Sequence, residues 1–219
     1  MFAGNPLIEL PRATESTQAW RLVALDNDTT YEQIFRAGLN RSNYNILLYD
    51  YAYFQFSWIR NNSWRLGYFP NPWVSGVPAA EERLQYWETL EEIDALTYEE
   101  ASELISEISY IGSIPPIRFE YAADQYREIA HPAAHFHIGR HSENRWPSSI
   151  SIGPKAFVFI IAKLYYPNAW AQHSSYHGAP GETCIEKRLL SVLADVRVVH
   201  DFSEIERRSI HFGKNMTTV

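Results

Sequence analysis

Residues 117–151 read IRFEYAADQYREIAHPAAHFHIGRHSENRWPSSIS, and two short runs inside this stretch decide the fold. Ile117 to Tyr121 and Ala134 to Ile138 each alternate apolar residues with polar or ionisable ones, the period-two pattern of half-buried strands. Arg118 and Glu120 then share one face of the first strand, and His135 and His137 share one face of the second. A turn lies between the two runs. Antiparallel pairing would therefore set Arg118 and Glu120 beside His135 and His137, with His131, His141, Arg140, Arg145 and Asp124 close by in the chain.

Upstream, Tyr44 to Ile59 is rich in aromatic and β-branched residues and reads as one long or bent strand. Asn61-Asn62-Ser63 is a hairpin turn, and Trp64 to Phe69 is the returning strand. The aromatics are read as sheet core, with a base-stacking platform as the alternative. Helices are expected from Glu15 to Leu25, from Thr30 to Arg36 under a Thr30/Gln33 capping box, and over Glu81–Leu90 and Thr97–Ser109. Pro70, Pro72 and Pro78 with Gly76 make a connection between them.

Downstream, Pro154 opens a helix with Phe157, Ile160, Ile161 and Leu164 on one face, ended by Pro167. Ala169 to Gly181 reads as a loop, long enough to act as a lid. Thr183 with Glu186 caps a further helix, Ser203 with Glu206 a short last one, and Val196 to Val199 is a possible strand. These elements make a single α+β domain over residues 1–219: an antiparallel sheet of about four to six strands with helices packed on one face.

Hydrophobic residues make up 46% of the 219 residues, enough for a sizeable core. Cys184 is the single cysteine, which excludes an intrachain disulfide and a thiolate metal cage and favours a reducing compartment; the cytoplasm is expected. The longest apolar run, Ala156 to Ala162, is far too short to span a bilayer, and no leader pattern is evident. Net charge is −7, and all eight histidines follow Tyr110. The half up to Tyr110 is strongly acidic and the rest slightly basic, so a phosphate-binding surface belongs to the C-terminal half.

Phosphodiester cleavage needs a base, an acid and cations on the developing charge. His135 and His137 suit the proton roles, with His131, Glu120 and Arg145 completing the catalytic group. Arg118, Arg140, Tyr121, Tyr126 and His141 are the candidates for holding substrate. This reading needs no metal and no cofactor. The same two histidines with Glu120 or Asp124 would alternatively form a two-histidine, one-carboxylate metal set, the centre of a metal-dependent hydrolase. Each histidine also has a purely structural reading as a hydrogen-bonded core residue, and Arg145 one as the ion-pair partner of Glu143 or Glu120. A third function class is a non-catalytic module whose acidic helices, over residues 81–107, dock a basic protein.

The run HPAAHFHIG at 131–139, with Arg145 to Pro147 and the Pro154-led helix ending Tyr165-Tyr166-Pro167, resembles DUF2290, a bacterial domain family of unknown function. The resemblance implies little about activity. An arginine-aromatic-acidic strand before a histidine-rich one is also similar to small toxin components of toxin-antitoxin pairs that attack RNA, although Phe136 separates the histidines and Glu120 stands where aspartate is expected. What this similarity implies is a metal-independent RNase-like effector of a toxin-antitoxin or antiviral defence system. Its substrate would be RNA or a nucleotide, its protein partner an antitoxin or defence-complex subunit, with no membrane involved.

Overall fold

Thr30 and Gln33 satisfy each other's backbone at the start of α1 (Tyr31–Asn40): the Thr30 amide donates to Gln33 Oε1 at 2.8 Å and the Gln33 amide to Thr30 Oγ1 at 3.3 Å. This is the reciprocal capping box that the spacing predicts. The computed structural model describes residues 3–4, 29–40, 43–59, 63–75, 114–141, 143–174, 184–199 and 202–208. The helices expected at 15–25, 81–90 and 97–109, the turn residues Asn61 and Asn62, most of the proposed lid with His177, and the tail lie outside the described residues.

Strands β1 (Ala3–Gly4), β2 (Ile46–Leu47), β3 (Tyr53–Ile59), β4 (Ser63–Phe69), β5 (Ile117–Tyr121), β6 (Ala134–Ile138) and β7 (Trp146–Pro147) hydrogen-bond in chain order in a seven-stranded sheet. The pairings β1–β2, β2–β3, β5–β6 and β6–β7 are antiparallel. With five helices described, the chain is α+β. The sheet exceeds the expected strand count because Tyr44–Ile59 is not one strand. It doubles back at 48–52, where Tyr51 takes a φ of 61° and the Asp50 carboxylate accepts the Ala52 amide, so that β2 pairs with β3.

The chain divides into two compact units, residues 1–55 with 68–116 and residues 56–67 with 117–219. In the first, Tyr31, Ile34 and Phe35 of α1 pack with Tyr53, Phe69, Trp73 and Val74. Tyr53 stacks on Phe69 at 5.0 Å, and the next residue, Phe54, points to the other side and meets Tyr68. The proline-bearing connection is buried from Pro70 to Ser75. Its polar groups close on each other: Ser75 donates to Asp50 Oδ2, Asn71 Nδ2 to the Asp50 carbonyl, and the Trp73 amide to Asn71 Oδ1.

In the second unit, Trp64 is fixed by its indole N–H on the Ile152 carbonyl at 2.9 Å and by stacking on Trp58 and Tyr121. Helix α2 (Pro154–Tyr165) begins at proline as expected and buries Ala156, Phe157 and Ile161, but Leu164 is exposed. Pro167 does not lead into a loop. It opens α3 (Pro167–Ser174), proline being favoured at a first helical position. Helix α4 (Ile185–Ala194) has Cys184 at its N-cap with no side-chain cap, and Glu186 in its first turn binds Lys163 and the Trp170 indole; Thr183 of the expected capping pair lies outside the described residues. The expected strand at 196–199 forms β9 (Arg197–Val198), which pairs with β8 (Ile150–Ser151) in a separate small sheet. Helix α5 (Glu204–Arg208) carries the expected Ser203/Glu206 capping box. No described helix is long and apolar enough to cross a membrane.

Gly38 lies on the inner face of α1, where a Cβ would overlap the Tyr53 hydroxyl and sit 2.6 Å from its Cζ. Gly→Ala in a helix interior ordinarily stabilises by about 1 kcal/mol. Here the overlap reverses the sign: Gly38→Ala is expected to destabilise by roughly 1–3 kcal/mol, read as a lower urea midpoint at constant slope, and a raised midpoint would refute the packing.

Candidate functional site

The register of β5 on β6 puts Arg118 opposite His137, Phe119 opposite Phe136 and Glu120 opposite His135. Residues directly opposite in an antiparallel pair project to the same side. Arg118, Glu120, His135 and His137 are thereby gathered on one face, while Phe119 and Phe136 pack edge to face at 5.0 Å on the other. Strand β4 adds Arg65, whose Nε lies 3.0 Å from Glu120 Oε2.

His135 is fully buried and His137 nearly so. Nδ1 of His135 lies 2.8 Å from the Pro132 carbonyl. A carbonyl only accepts, so Nδ1 carries the proton and Nε2 keeps a bare lone pair. That lone pair faces His137 Nε2 at 3.1 Å, and His137 Nε2 is 3.9 Å from Glu120 Oε1. His137 Nδ1 is buried with no hydrogen-bond partner among the described residues. One ligand atom from each of Glu120, His135 and His137 falls within 4.8 Å of the others.

Burial pushes His135 down to about 4, against the opposing pull of Glu120. Burial, reinforced by the Arg118 charge, pushes His137 down to about 3. Burial alone would raise Glu120, but Arg65 and the other nearby cations outweigh it and hold the carboxyl below its ordinary value. The cluster at neutral pH is therefore two neutral imidazoles and a carboxylate.

A cavity of about 580 Å³ adjoins the cluster, lined in part by Asp124, Tyr126, Arg127, His131, Glu143 and Arg145. His131 links the two, its ring 5.0 Å from that of His135. It closes a tight hairpin in which Arg127 and His131 exchange backbone hydrogen bonds at 2.9 and 2.8 Å. Ile129 at the tip has a φ of 64°, costly for a β-branched residue. The buried Glu206 carboxylate holds it there, accepting the Ile129 amide and the Tyr126 hydroxyl, each at 3.3 Å. Arg145 precedes β7, whose Pro147 pairs with His135, and its Nη1 binds Glu143 at 2.6 Å.

Of the residues singled out in the sequence, the fold thus assembles Glu120, His135, His137, His131, Arg118 and Arg145. Others are elsewhere. Tyr121 is on the apolar face against Trp64, since an odd step along β5 turns it away. Arg140 and His141 are exposed in the turn after β6, and Asp124 belongs to the cavity wall, with Ser63 donating to its carboxylate. Tyr126 lines the cavity but spends its hydroxyl on Glu206. Sequence reasoning missed Arg65, although it is the one charged residue in the otherwise apolar run SWRLGYF, a signal that it has a buried partner. Glu206 was noticed only as a cap.

The model of an uncharacterised conserved protein family, DUF2290, matches residues 9–214. The chain belongs to DUF2290. No curated protein and no solved structure matches it. In this DUF2290 chain the HPAAHFHIG run contributes the Pro132 carbonyl, His131, His135 and His137, so most of the cluster comes from nine consecutive residues.

Unfolded, both imidazoles titrate near the ordinary value of 6.5; folded, they do so at about 4 and about 3. Between these values the unfolded chain binds protons that the folded one refuses, so stability rises with pH. The metal-free protein is expected to lose thermal stability as pH falls from about 6.5 towards 4, with a shallower loss in the His135→Gln/His137→Gln double variant. Identical profiles for the two proteins would show that the histidines are not held neutral.

Proposed function

We propose that Glu120, His135 and His137 bind a divalent transition-metal ion and that the protein is a metal-dependent hydrolase. The observation that carries this is the 3.1 Å approach of two Nε2 atoms, one of which must present a bare lone pair. Two imidazole nitrogens on one tetrahedral zinc, each at about 2.0–2.1 Å, stand roughly 3.3 Å apart, so the pair is already spaced for a shared ion. The donor set of two nitrogens and a carboxylate suits zinc, iron or manganese. Supports behind the ligands follow the same logic: the Pro132 carbonyl fixes the His135 tautomer, and Arg65 anchors the far oxygen of Glu120.

The proton-transfer alternative fares less well. A base and acid pair working near neutrality needs one imidazole that gains a proton there, and burial holds both far below that range. An ion held by Glu120, His135 and His137 would supply Lewis acidity and an activated water. The residues of the chain position that chemistry: Arg118 and Arg145 supply fixed positive charge beside it, and His131 stands between the ligands and the cavity. An RNA or nucleotide substrate is compatible with this centre. The acidic helices of the docking-module reading lie outside the described residues.

Metal-stripped protein is expected to take up about one equivalent of zinc, manganese or cobalt in equilibrium dialysis. His135→Ala and His137→Ala should each weaken binding by more than roughly 100-fold, and Arg65→Met, which removes only the support of Glu120, by roughly 10-fold. Hydrolysis of RNA or a chromogenic phosphodiester should vanish with chelator and return with metal. Unchanged metal affinity in His137→Ala, or activity indifferent to exhaustive chelation, would overturn the proposal.

A further inference from the structure

We infer that the cavity lined by Arg127, His131 and Arg145 is an anion site that takes the phosphoryl group of a phosphate ester. The inference names a substrate class for the metal centre proposed above and rests on that reading for its catalytic meaning, though not for the binding itself. Two buried side-chain nitrogens of residues that line this cavity, Arg145 Nε and His131 Nδ1, have no hydrogen-bond partner among the described residues. Arg145 Nε can only donate, and a buried donor left unpaired costs about 1–3 kcal/mol, so it calls for an acceptor atom that the described residues do not provide; His131 Nδ1 adds a second donor in the tautomer that protonates it. Phosphoryl oxygens are acceptors only, and the guanidinium fork matches them in shape and charge.

Two carboxylates also line the cavity, and they narrow the class rather than exclude it. Asp124 Oδ1 is engaged by the Ser63 hydroxyl at 3.2 Å. Glu143 binds Arg145 Nη1, but its side chain is 82% exposed. Exposed ion pairs are worth little, so a phosphate reaching the more buried Arg145 can displace Glu143. A cationic ligand would have to sit against Arg127 and Arg145 and would leave Arg145 Nε unpaired. The volume of about 580 Å³ accommodates a phosphoryl group together with the group it esterifies. Arg145 lies two residues before Pro147, the partner of His135 across the β6–β7 pair, so an anion held on its guanidinium rests beside the candidate ligands.

Titration of the metal-free full chain with inorganic phosphate, followed by phosphorus NMR or calorimetry, tests the site without any metal. Saturable binding is expected in the wild type, weakened roughly 10-fold or more in Arg145→Ala and unaffected in Arg188→Ala, an exposed residue of α4. Glu143→Gln, which leaves Arg145 in place and removes its competitor, should tighten phosphate by about two- to fivefold. No saturable phosphate binding, or equal affinity in the wild type and Arg145→Ala, would overturn the inference; tighter binding in Glu143→Gln supports it even where Arg145→Ala fails to fold. Manganese is added last. Broadening of the bound phosphate resonance in the wild type and not in His137→Ala supports both readings, whereas phosphate binding without manganese uptake keeps the anion site and defeats the metal centre.

Discussion

The pairing register of β5 on β6 is the constraint on which the site depends. Side chains on a strand alternate with a period of two, so a slip of one residue would carry Arg118, Glu120, His135 and His137 to the opposite face. The wedge of Phe119 against Phe136 on the apolar side makes that slip expensive, because it would put two aromatic rings where charged groups now sit. Packing on one face thus secures electrostatics on the other. The ionisable cluster needs no dedicated scaffold beyond this two-strand unit, the Arg65 strand at its side and the edge pairing that brings in Arg145.

Charge burial in this unit follows a consistent rule. Each buried ionisable group either has an opposite charge against it or stays neutral. Glu120 keeps its charge because Arg65 and Arg118 stand beside it, and burial, reinforced by Arg118, denies His137 a proton. The imidazoles are therefore pushed toward the role of electron-pair donors. Proximity of histidine to carboxylate alone would have suggested the reverse, since a nearby acid raises an imidazole pKa; here desolvation is the larger effect.

Local patterns in the sequence were legible where one short-range interaction decides the outcome. Period-two alternation placed β5 and β6, and two capping boxes marked the starts of α1 and α5. The antiparallel pairing, and with it the meeting of Glu120 with the two histidines, followed from the two strands being consecutive in the chain, joined by the connection over residues 122–133. What could not be read depended on contacts between residues far apart. The doubling back of Tyr44–Ile59 turns on Tyr51 accepting a positive φ, which its residue type does not advertise. Glu186 is the partner of Lys163 and Trp170, contributed by two other helices, which its place beside a helix start does not advertise. Arg65 lies 55 positions from Glu120, and Tyr121, Arg140 and His141 resembled site residues only because they are close in the chain.

Glu206 ties the end of this unit to its centre. One carboxylate closes the N-terminal turn of α5 and holds the strained Ile129 hairpin that carries Arg127 and His131. Unwinding α5 would remove the Glu206 support of that hairpin, so the part of the cavity wall that carries Arg127 and His131 is coupled to the docking of the last described helix. During synthesis the strands bearing Glu120, His135 and His137 leave the ribosome well before residues 202–208. In a nascent chain the Arg127–His131 hairpin therefore gains its Glu206 partner only after residues 202–208 have been made.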